Sequence, residues 1–461
     1  MNKFLWFFCA FFSVFMLGSA NTKQLPVSML EQSKNVEFIC VYFTSLAGDF
    51  KQLTIPSSQI ESALKNGLKF DGSSIPGYAN IFNSDMHLVL DSESFFVNPV
   101  VEGQPKTARI FAYVNQEDEI PYLADPRYLL KEAILLSSEL NYEFYVGPEI
   151  EFFLLEKDDK GEFIPWGKGC YFGAETEVKR ESIKFELMQT LLANGVVIEK
   201  MHHEVAPGQY EFSIQYDTPM KVADQIMLAK HLVKQVAHKY GLTATFMPKP
   251  FLGMNGSGMH INLSIADKIT RENLFFDSFG DAFLSGLAKN CIAGIINRIA
   301  EGAVILNSSV NSFKRLVPGY EAPVYICWAK KNRSSLIRIP QISINQSCAS
   351  RIELRSPDAL CNPYLAFTFL LQSSLAGIMN EEFLPYPIEE NLFKLTPKEV
   401  KDRGIRTLPS SLEQALYNFE NSPSMRDIFN HVLIREFIKI KSKELEQFQK
   451  SISLWELQNC L

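Results

Sequence analysis

The sequence predicts an α+β protein of two domains, a small one ahead of a large one, and three observations point there. At 461 residues the chain is longer than one ordinary hydrophobic core accommodates. Short strand-like runs crowd the segment 30–122. Beyond a proline-punctuated junction, helical periodicity alternates with short strands that carry most of the charged pattern.

Taken in order, residues 36–43, 50–55, 86–91 and 108–114 read as strands, with a helix over 58–68 between them. The run Ile120-Pro-Tyr-Leu-Ala-Asp-Pro126 marks the boundary, because its prolines break both ladders and helices. Helices are expected over 127–140, 182–194, 221–240 and 281–301. The tail, 423–452, reads as one long helical stretch rich in Lys and Glu, a packing or subunit-contact element. No internal repeat or low-complexity tract appears.

Composition is that of a globular protein, 46% hydrophobic and 21% charged, with a net charge of −7. No Lys/Arg-rich block is present, which argues against a nucleic-acid footprint. Residues 1–20 read as a secretory leader, Lys3 followed by an apolar run and Ser19-Ala20, too short for a comfortable membrane span. The competing reading starts translation at Met29. Outside the leader, Cys40, Cys170, Cys291, Cys327, Cys348, Cys361 and Cys460 form an odd set without Cys-x-x-Cys. Neither a disulfide framework nor a zinc site is indicated, and a reducing cytoplasm is expected, with export as the alternative if the leader is genuine.

Chemistry concentrates in a few alternating runs. Glu149 and Glu151 stand two apart in an apolar stretch, so a strand points both at one place while Ile150 and Phe152 fill the other face. Two such acids require Arg/Lys or a divalent cation unless they line a solvated edge. Glu204 and Glu211 flank a Pro-Gly turn, and a hairpin returns them to one neighbourhood, on the surface or in a site. Arg351, Glu353 and Arg355 share one strand face, either as a salt-bridge ladder or as ligand contacts. A glycine-rich turn leads into His260, Asn262 and Ser264, which face one way; it is neither a Walker A loop nor a Rossmann fingerprint. Arg315, Arg333 and Arg338 sit near proline-punctuated loops and suit bidentate contacts to phosphate or carboxylate. Glutamates and a histidine for divalent ions, with arginines for phosphate, are what phosphoryl transfer to a carboxylate requires.

These motifs together resemble a known family. From about Val36 to the C-terminus the chain is similar to bacterial-type (class I) glutamine synthetases: Phe70-Asp-Gly-Ser-Ser74 with Asn83-Ser-Asp85 resembles the N-terminal signature, and Lys249 to Ser264 the ATP-region signature. The resemblance implies a β-grasp domain over 36–121 and, over 127–461, a catalytic domain with a curved antiparallel sheet flanked by helices. It further implies a dodecamer of two stacked hexameric rings with active sites between subunits. The implied activity is ATP-dependent ligation of ammonia to L-glutamate through γ-glutamyl phosphate, with Mg2+ or Mn2+, two to three per subunit.

Carried over residue by residue, the resemblance gives one metal to Glu151, Glu204 and Glu211 and another to Glu149, His260 and Glu353. Arg315, Arg355, Asn255, Gly256 and Glu321 would hold glutamate. Arg333, Arg338, Arg351, Glu199, Asn262 and Ser264 would serve the nucleotide, Arg333 also meeting the transferred phosphoryl group. Asp71, acting in the adjacent subunit's site, would bind ammonium with Tyr171 and Glu204, and Glu321 would lie on a shielding flap. Phe393 stands where members regulated by adenylylation carry a tyrosine, so that control is expected to be absent, and Asn80 stands where some feedback-inhibited members carry an arginine, so the resemblance gives no support to direct glutamine inhibition by that route. The rivals are a γ-glutamyl ligase for another amine and a non-catalytic exported scaffold. Asp71 and Tyr171 speak against the first, and the complete ligand set against the second. No membrane or nucleic-acid partner is expected.

Overall fold

The computed structural model describes residues 27–79, 84–117, 119–320, 322–390 and 392–460. The leader, Asn80, Glu321 and the side chain of Phe393 lie outside the described residues.

Alternating buried and exposed residues set the small sheet. Its strands are β1 (Phe38–Thr44), β2 (Phe50–Pro56), β3 (Leu68–Asp71), β4 (Asp85–Val97), β5 (Thr107–Glu117) and the short β6 (Ile120–Pro121). They run in the order β2-β1-β5-β4-β3, with β6 also on β5. The β1–β5 pair is parallel and its neighbours are antiparallel. Ile39, Val41, Leu88 and Ile110 form its core. The helix expected over 58–68 occupies Ile60–Asn66, behind a single tight turn at Ser57–Gln59, and stops at Gly67. The next residues are therefore free to pair as β3, at the sheet edge.

The large sheet comprises β7 (Tyr142–Lys157), β8 (Phe163–Pro165), β9 (Ile198–His203), β10 (Gln209–Ile214), β11 (Thr243–Thr245), β12 (Met259–Asp267), β13 (Trp328–Ala329), β14 (Ile337–Arg338) and β15 (Ile352–Leu354). Its order is β13-β14-β15-β12-β7-β10-β9, with β8 and β11 also on β7. One face is apolar. Ile150 and Phe152 are fully buried there, and the Phe152 ring meets Tyr210, Phe212 and Phe246 at 5.6 to 6.0 Å.

Helices Pro126–Glu139, Val178–Ala193 and Pro219–Lys239 match the periodicity. The one expected over 281–301 is shorter, Gly286–Arg298, because the Ser285 side chain accepts the Ala288 N–H and starts it there. The tail is likewise broken: Asn430 caps His431–Lys450 and separates it from Pro423–Ile428. Helix Pro363–Met379 has no counterpart among the expected elements. It is buried on nearly every side, so it carries no polar stripe to read. Gly377 and Gly294 let it touch helix Gly286–Arg298 closely; a Cβ on Gly294 would lie 2.2 Å from the Ser373 carbonyl oxygen.

Arg127 ties the two units together. Its guanidinium donates to Asp91 Oδ2 of β4 at 2.7 Å and to both carboxylate oxygens of Asp224 at 3.1 and 2.9 Å, while the Tyr364 hydroxyl donates to Asp224 at 2.6 Å. The architecture is thus a β-grasp unit ahead of a largely antiparallel sheet with flanking helices, as the resemblance implies.

Candidate active site

The polar face of the large sheet places the acids by register. β7 presents Glu149 and Glu151 on one side; Glu151 stands opposite Glu211 of β10, and Glu149 opposite His260 of β12. Farther along, Glu353 of β15 stands between Asn262 and Arg338. The alternation of side chains turns sequence spacing into a surface of ligands.

A cavity of about 490 Å³ opens over this surface. Its carboxylates are Glu149, Glu151, Glu204, Glu211 and Glu353, and its guanidinium groups belong to Arg315, Arg333, Arg338, Arg351 and Arg355. Tyr171, Asn255, Gly256 and His260 also line it. Every carried-over cavity residue except Asp71, Glu199, Asn262, Ser264 and the undescribed Glu321 is therefore brought together. Asn262 is joined to the wall indirectly, accepting from Arg351 Nε at 3.0 Å. Ser264 lies one step farther along the same face, and Glu199 is exposed on β9. Asp71 is exposed at the end of edge strand β3, its carboxylate accepting from Ser73 N at 2.8 Å and Ser73 Oγ at 2.6 Å. Those bonds hold it below the usual carboxylate range.

The acids fall into overlapping groups. Ligand atoms of Glu149, Glu211 and His260 lie within 4.8 Å of one another, as do those of His202, Glu204 and Glu211. His260 Nδ1 is 3.7 Å from both Glu149 Oε2 and Glu353 Oε1. Glu151 is held by the Gly258 N–H at 2.8 Å and by Gln209 Nε2 at 3.3 Å. Burial, reinforced by the charges of Glu151, Glu149 and Glu204, pushes Glu211 up to about 9, and Lys200, 3.9 Å away, opposes this only in part. Glu149 goes the other way: burial disfavours its charge, but His260, Lys200 and Asn262 outweigh it and hold the group at about 2. Burial also works against the charge of Glu353, but His260, Arg355 and Arg338 overcome it and keep this carboxyl low. The two guanidinium groups donate to Glu353 at 2.6 Å each.

Arg315 is buried and donates to the carbonyl oxygens of Arg355, Ser356 and Pro357 at 3.2, 2.7 and 3.2 Å. Gly258 is required beside it, since a Cβ there would lie 2.4 Å from Arg315 Nη2. The sequence reading did not assign His202, Lys200 or Gln209, all of which line the cavity. Strand parity is the signal that finds them: Lys200 and His202 share a face of β9, and Gln209 shares one with Glu211.

Glu149, Glu204 and Glu211 crowd together with imidazole nitrogen and one distant ammonium, the guanidinium groups at Glu353 being already engaged, and this cluster fits a divalent cation: the donors are oxygen and borderline nitrogen, as Mg2+ or Mn2+ sites use. Among the described residues, no helix is long and apolar enough to cross a membrane.

Two family models match, "Glutamine synthetase, beta-Grasp domain" over residues 35–117 and "Glutamine synthetase, catalytic domain" over 123–460. The glutamine synthetase of Methanosarcina mazei is 39% identical over 432 residues, covering 93% of this chain and 96% of that one. That of Clostridium saccharobutylicum is 40% identical over 443 residues, covering 95% and 98%. Among solved structures, a GmaS–ADP complex superposes with a TM-score of 0.84 at 26% identity, covering 94% of this chain and 99% of that chain. The glutamine synthetase of Plasmodium falciparum, at 22% identity and a TM-score of 0.82 over 94% of this chain and 98% of that one, shares the fold.

Proposed function

Since the chain belongs to the glutamine synthetase family and is a glutamate–ammonia ligase, we propose that the cavity over β7 is where ATP, L-glutamate and ammonia meet. The observation that carries this is the meeting of the acid groups around Glu211 with the arginines on a single cavity wall. The γ-carboxylate of glutamate attacks the γ-phosphorus of ATP to give γ-glutamyl phosphate and ADP. Ammonia then displaces phosphate to give L-glutamine.

Each side chain has a task in that sequence. Glu149, His260 and Glu353, with Glu151, Glu204 and Glu211, would hold the divalent cations. Bound there, these would neutralise phosphate charge and bring the reacting oxygens into line. Arg315, Arg355, Asn255 and the Gly256 backbone grip the glutamate substrate. Arg333 spreads the charge of the transferred phosphoryl group. Arg338, Arg351, Glu199, Asn262 and Ser264 serve the nucleotide; that a solved structure similar to this chain is an ADP complex is in keeping with a nucleotide site in this fold. Glu321 shields the acyl phosphate from water.

Asp71 is exposed on a sheet edge and does not line its own subunit's cavity, which supports its acting in a neighbour's site with Tyr171 and Glu204 to bind and deprotonate ammonium. That arrangement requires an oligomer, which on the family resemblance is the dodecamer of stacked rings, and dependence on ATP argues for the cytoplasm. Phe393 leaves adenylylation without its hydroxyl.

Purified protein given glutamate, ammonium, ATP and Mg2+ or Mn2+ should release glutamine and phosphate in equal amounts. Product from methylamine or a polyamine in preference to ammonium would replace this reading with the other γ-glutamyl ligase. Glu321→Ala should lose synthesis with metal binding intact, and unchanged activity would remove the shielding role.

A further inference from the structure

Lys249 has no assigned role, yet its side chain joins two loops that line the cleft. Its backbone is clamped by Asn311: the Lys249 N–H donates to Asn311 Oδ1 at 2.7 Å, and Asn311 Nδ2 donates back to the Lys249 carbonyl at 3.0 Å. The Lys249 ammonium donates to the Met254 carbonyl. It thereby closes the turn whose next two residues, Asn255 and Gly256, line the cavity. The same ammonium stands 3.6 Å from the centroid of the Tyr320 ring, and Tyr320 lines the cavity as well.

Little else fastens the loop that carries Tyr320. The Val317 N–H donates to the Arg315 carbonyl at 2.8 Å, which starts a turn directly after a buried guanidinium. Gly319 then takes φ 97°, a left-handed conformation that any side chain would strain. Among the described residues, no hydrogen bond ties Pro318, Gly319, Tyr320 or Ala322 to the rest of the chain. Pro318 and Gly319 are exposed, Tyr320 is half-buried, and the chain is buried from Ala322 to Ala329. A cation over the face of an aromatic ring is attracted by the ring quadrupole, more strongly where water is excluded. Tyr320 on half-buried Lys249 meets that description.

We propose that Lys249 and Tyr320 form a cation–π latch that holds the loop over 317–322 to the glycine-rich turn, which makes both of them positioning residues for the shielding of the acyl phosphate. The proposal rests on the reading of Glu321 given above. Tyr320 precedes Glu321 in the chain, so the point at which the ring is fastened limits where that carboxylate can reach. With the latch made, γ-glutamyl phosphate meets ammonia. With it broken, water adds to the acyl carbon in place of ammonia, the bond from that carbon to the phosphate oxygen breaks, and the proton of the water leaves with phosphate. Glutamate is regenerated, and one ATP has been hydrolysed without amide formation. The competing role is support of the turn at Met254 by Lys249, with Tyr320 a passive neighbour.

Glutamine and phosphate released by the full-length protein from glutamate, ammonium, ATP and Mg2+ separate the two, since the coupled wild type releases them in equal amounts. Tyr320→Leu should release at least about threefold more phosphate than glutamine, with the excess dependent on glutamate and KM for glutamate and for ATP within about twofold. Tyr320→Phe, which keeps the ring face, should stay coupled. Lys249→Met should uncouple as Tyr320→Leu does, and Lys249→Arg, which keeps a cation, should stay coupled. The double variant Lys249→Met/Tyr320→Leu should be no worse than the worse single variant. Equal release by Tyr320→Leu, a Lys249→Met enzyme that stays coupled while its KM for glutamate rises, or losses that multiply in the double variant would overturn the latch. Oligomeric mass and circular dichroism confirm that the variants fold. A Glu321→Ala enzyme that stays coupled would instead defeat the shielding reading on which the latch rests.

Discussion

Glu151 of β7 and Glu211 of β10 are cross-strand partners on one face of the sheet, and Glu211 is buried. Burial and the charge of Glu151 push Glu211 up to about 9, so without a cation Glu211 keeps a proton that the unfolded chain has released, which costs stability at neutral pH until a cation enters. Glu211→Gln should therefore leave the metal-free protein at least as stable as the wild type, while most of the stabilisation by Mn2+ disappears. Ligand at a hundredfold excess over its Kd stabilises by about 2.7 kcal/mol. Thermal melts with EDTA and with Mn2+ measure both halves, and a metal-free variant that melts well below wild type would contradict the first.

Glu353 answers two guanidinium groups, Arg338 and Arg355, at 2.6 Å each. Removing its charge strands a buried Arg355. Glu353→Ala should cost about 3 to 5 kcal/mol in denaturant unfolding of metal-free protein. A loss below about 1 kcal/mol would show that solvent or a backbone carbonyl compensates.

Gly258 touches both ends of the cleft, donating its N–H to Glu151 and leaving room for Arg315. Gly258→Ala should push the guanidinium off its carbonyl partners. Expected is a tenfold or greater rise in KM for glutamate, about 1.4 kcal/mol, with KM for ATP within about twofold. Equal changes in both constants would mean general disruption.

Asp125 caps helix Pro126–Glu139 from a fully buried position. Burial lifts its carboxyl to about 7 in spite of N–H bonds from Val114 and Tyr128 and the charge of Arg127. Unfolded, it titrates near about 3.9. Between these values the folded chain retains a proton that the unfolded chain has released. The stability due to this group is thus complete below about pH 4 and lost as pH rises through about 7. The ceiling is about 4 kcal/mol. Asp125→Asn, which keeps the cap, should gain on wild type in unfolding free energy as pH rises from about 4 to about 7 and hold that lead above it; a difference that does not change over that window would rule out this titration.

Much of the site was legible because strand parity is a strict code. Glu149 with Glu151, and Arg351 with Glu353 and Arg355, could be placed on common faces from spacing alone, and the Pro-Gly turn foretold the β9–β10 hairpin. Spacing did not show which strands become neighbours, so Glu211 standing between two groups, and His202 opposite it, needed the register. Helix Pro363–Met379 escaped because burial on all sides erases periodicity, and β3 because it is a short strand that only pairing with β4 defines. The tail looked continuous because no Gly and no further Pro interrupts 424–452, while Asn430, whose capping bonds start a new helix, is a weak breaker when read from sequence.

The donor groups hang from columns on adjacent strands, and peptide hydrogen bonding fixes the distance between such columns at about 4.8 Å whatever side chains pack beneath. The sheet therefore acts as a ruler for the cleft. Substitutions in the apolar layer around Phe152 can loosen or tighten the protein while leaving the separation of the ligand columns untouched, which decouples drift in thermal tolerance from drift in chemistry. A change in that separation requires an inserted or deleted strand residue, which would turn Glu149 and Glu151 to the wrong side at a single stroke.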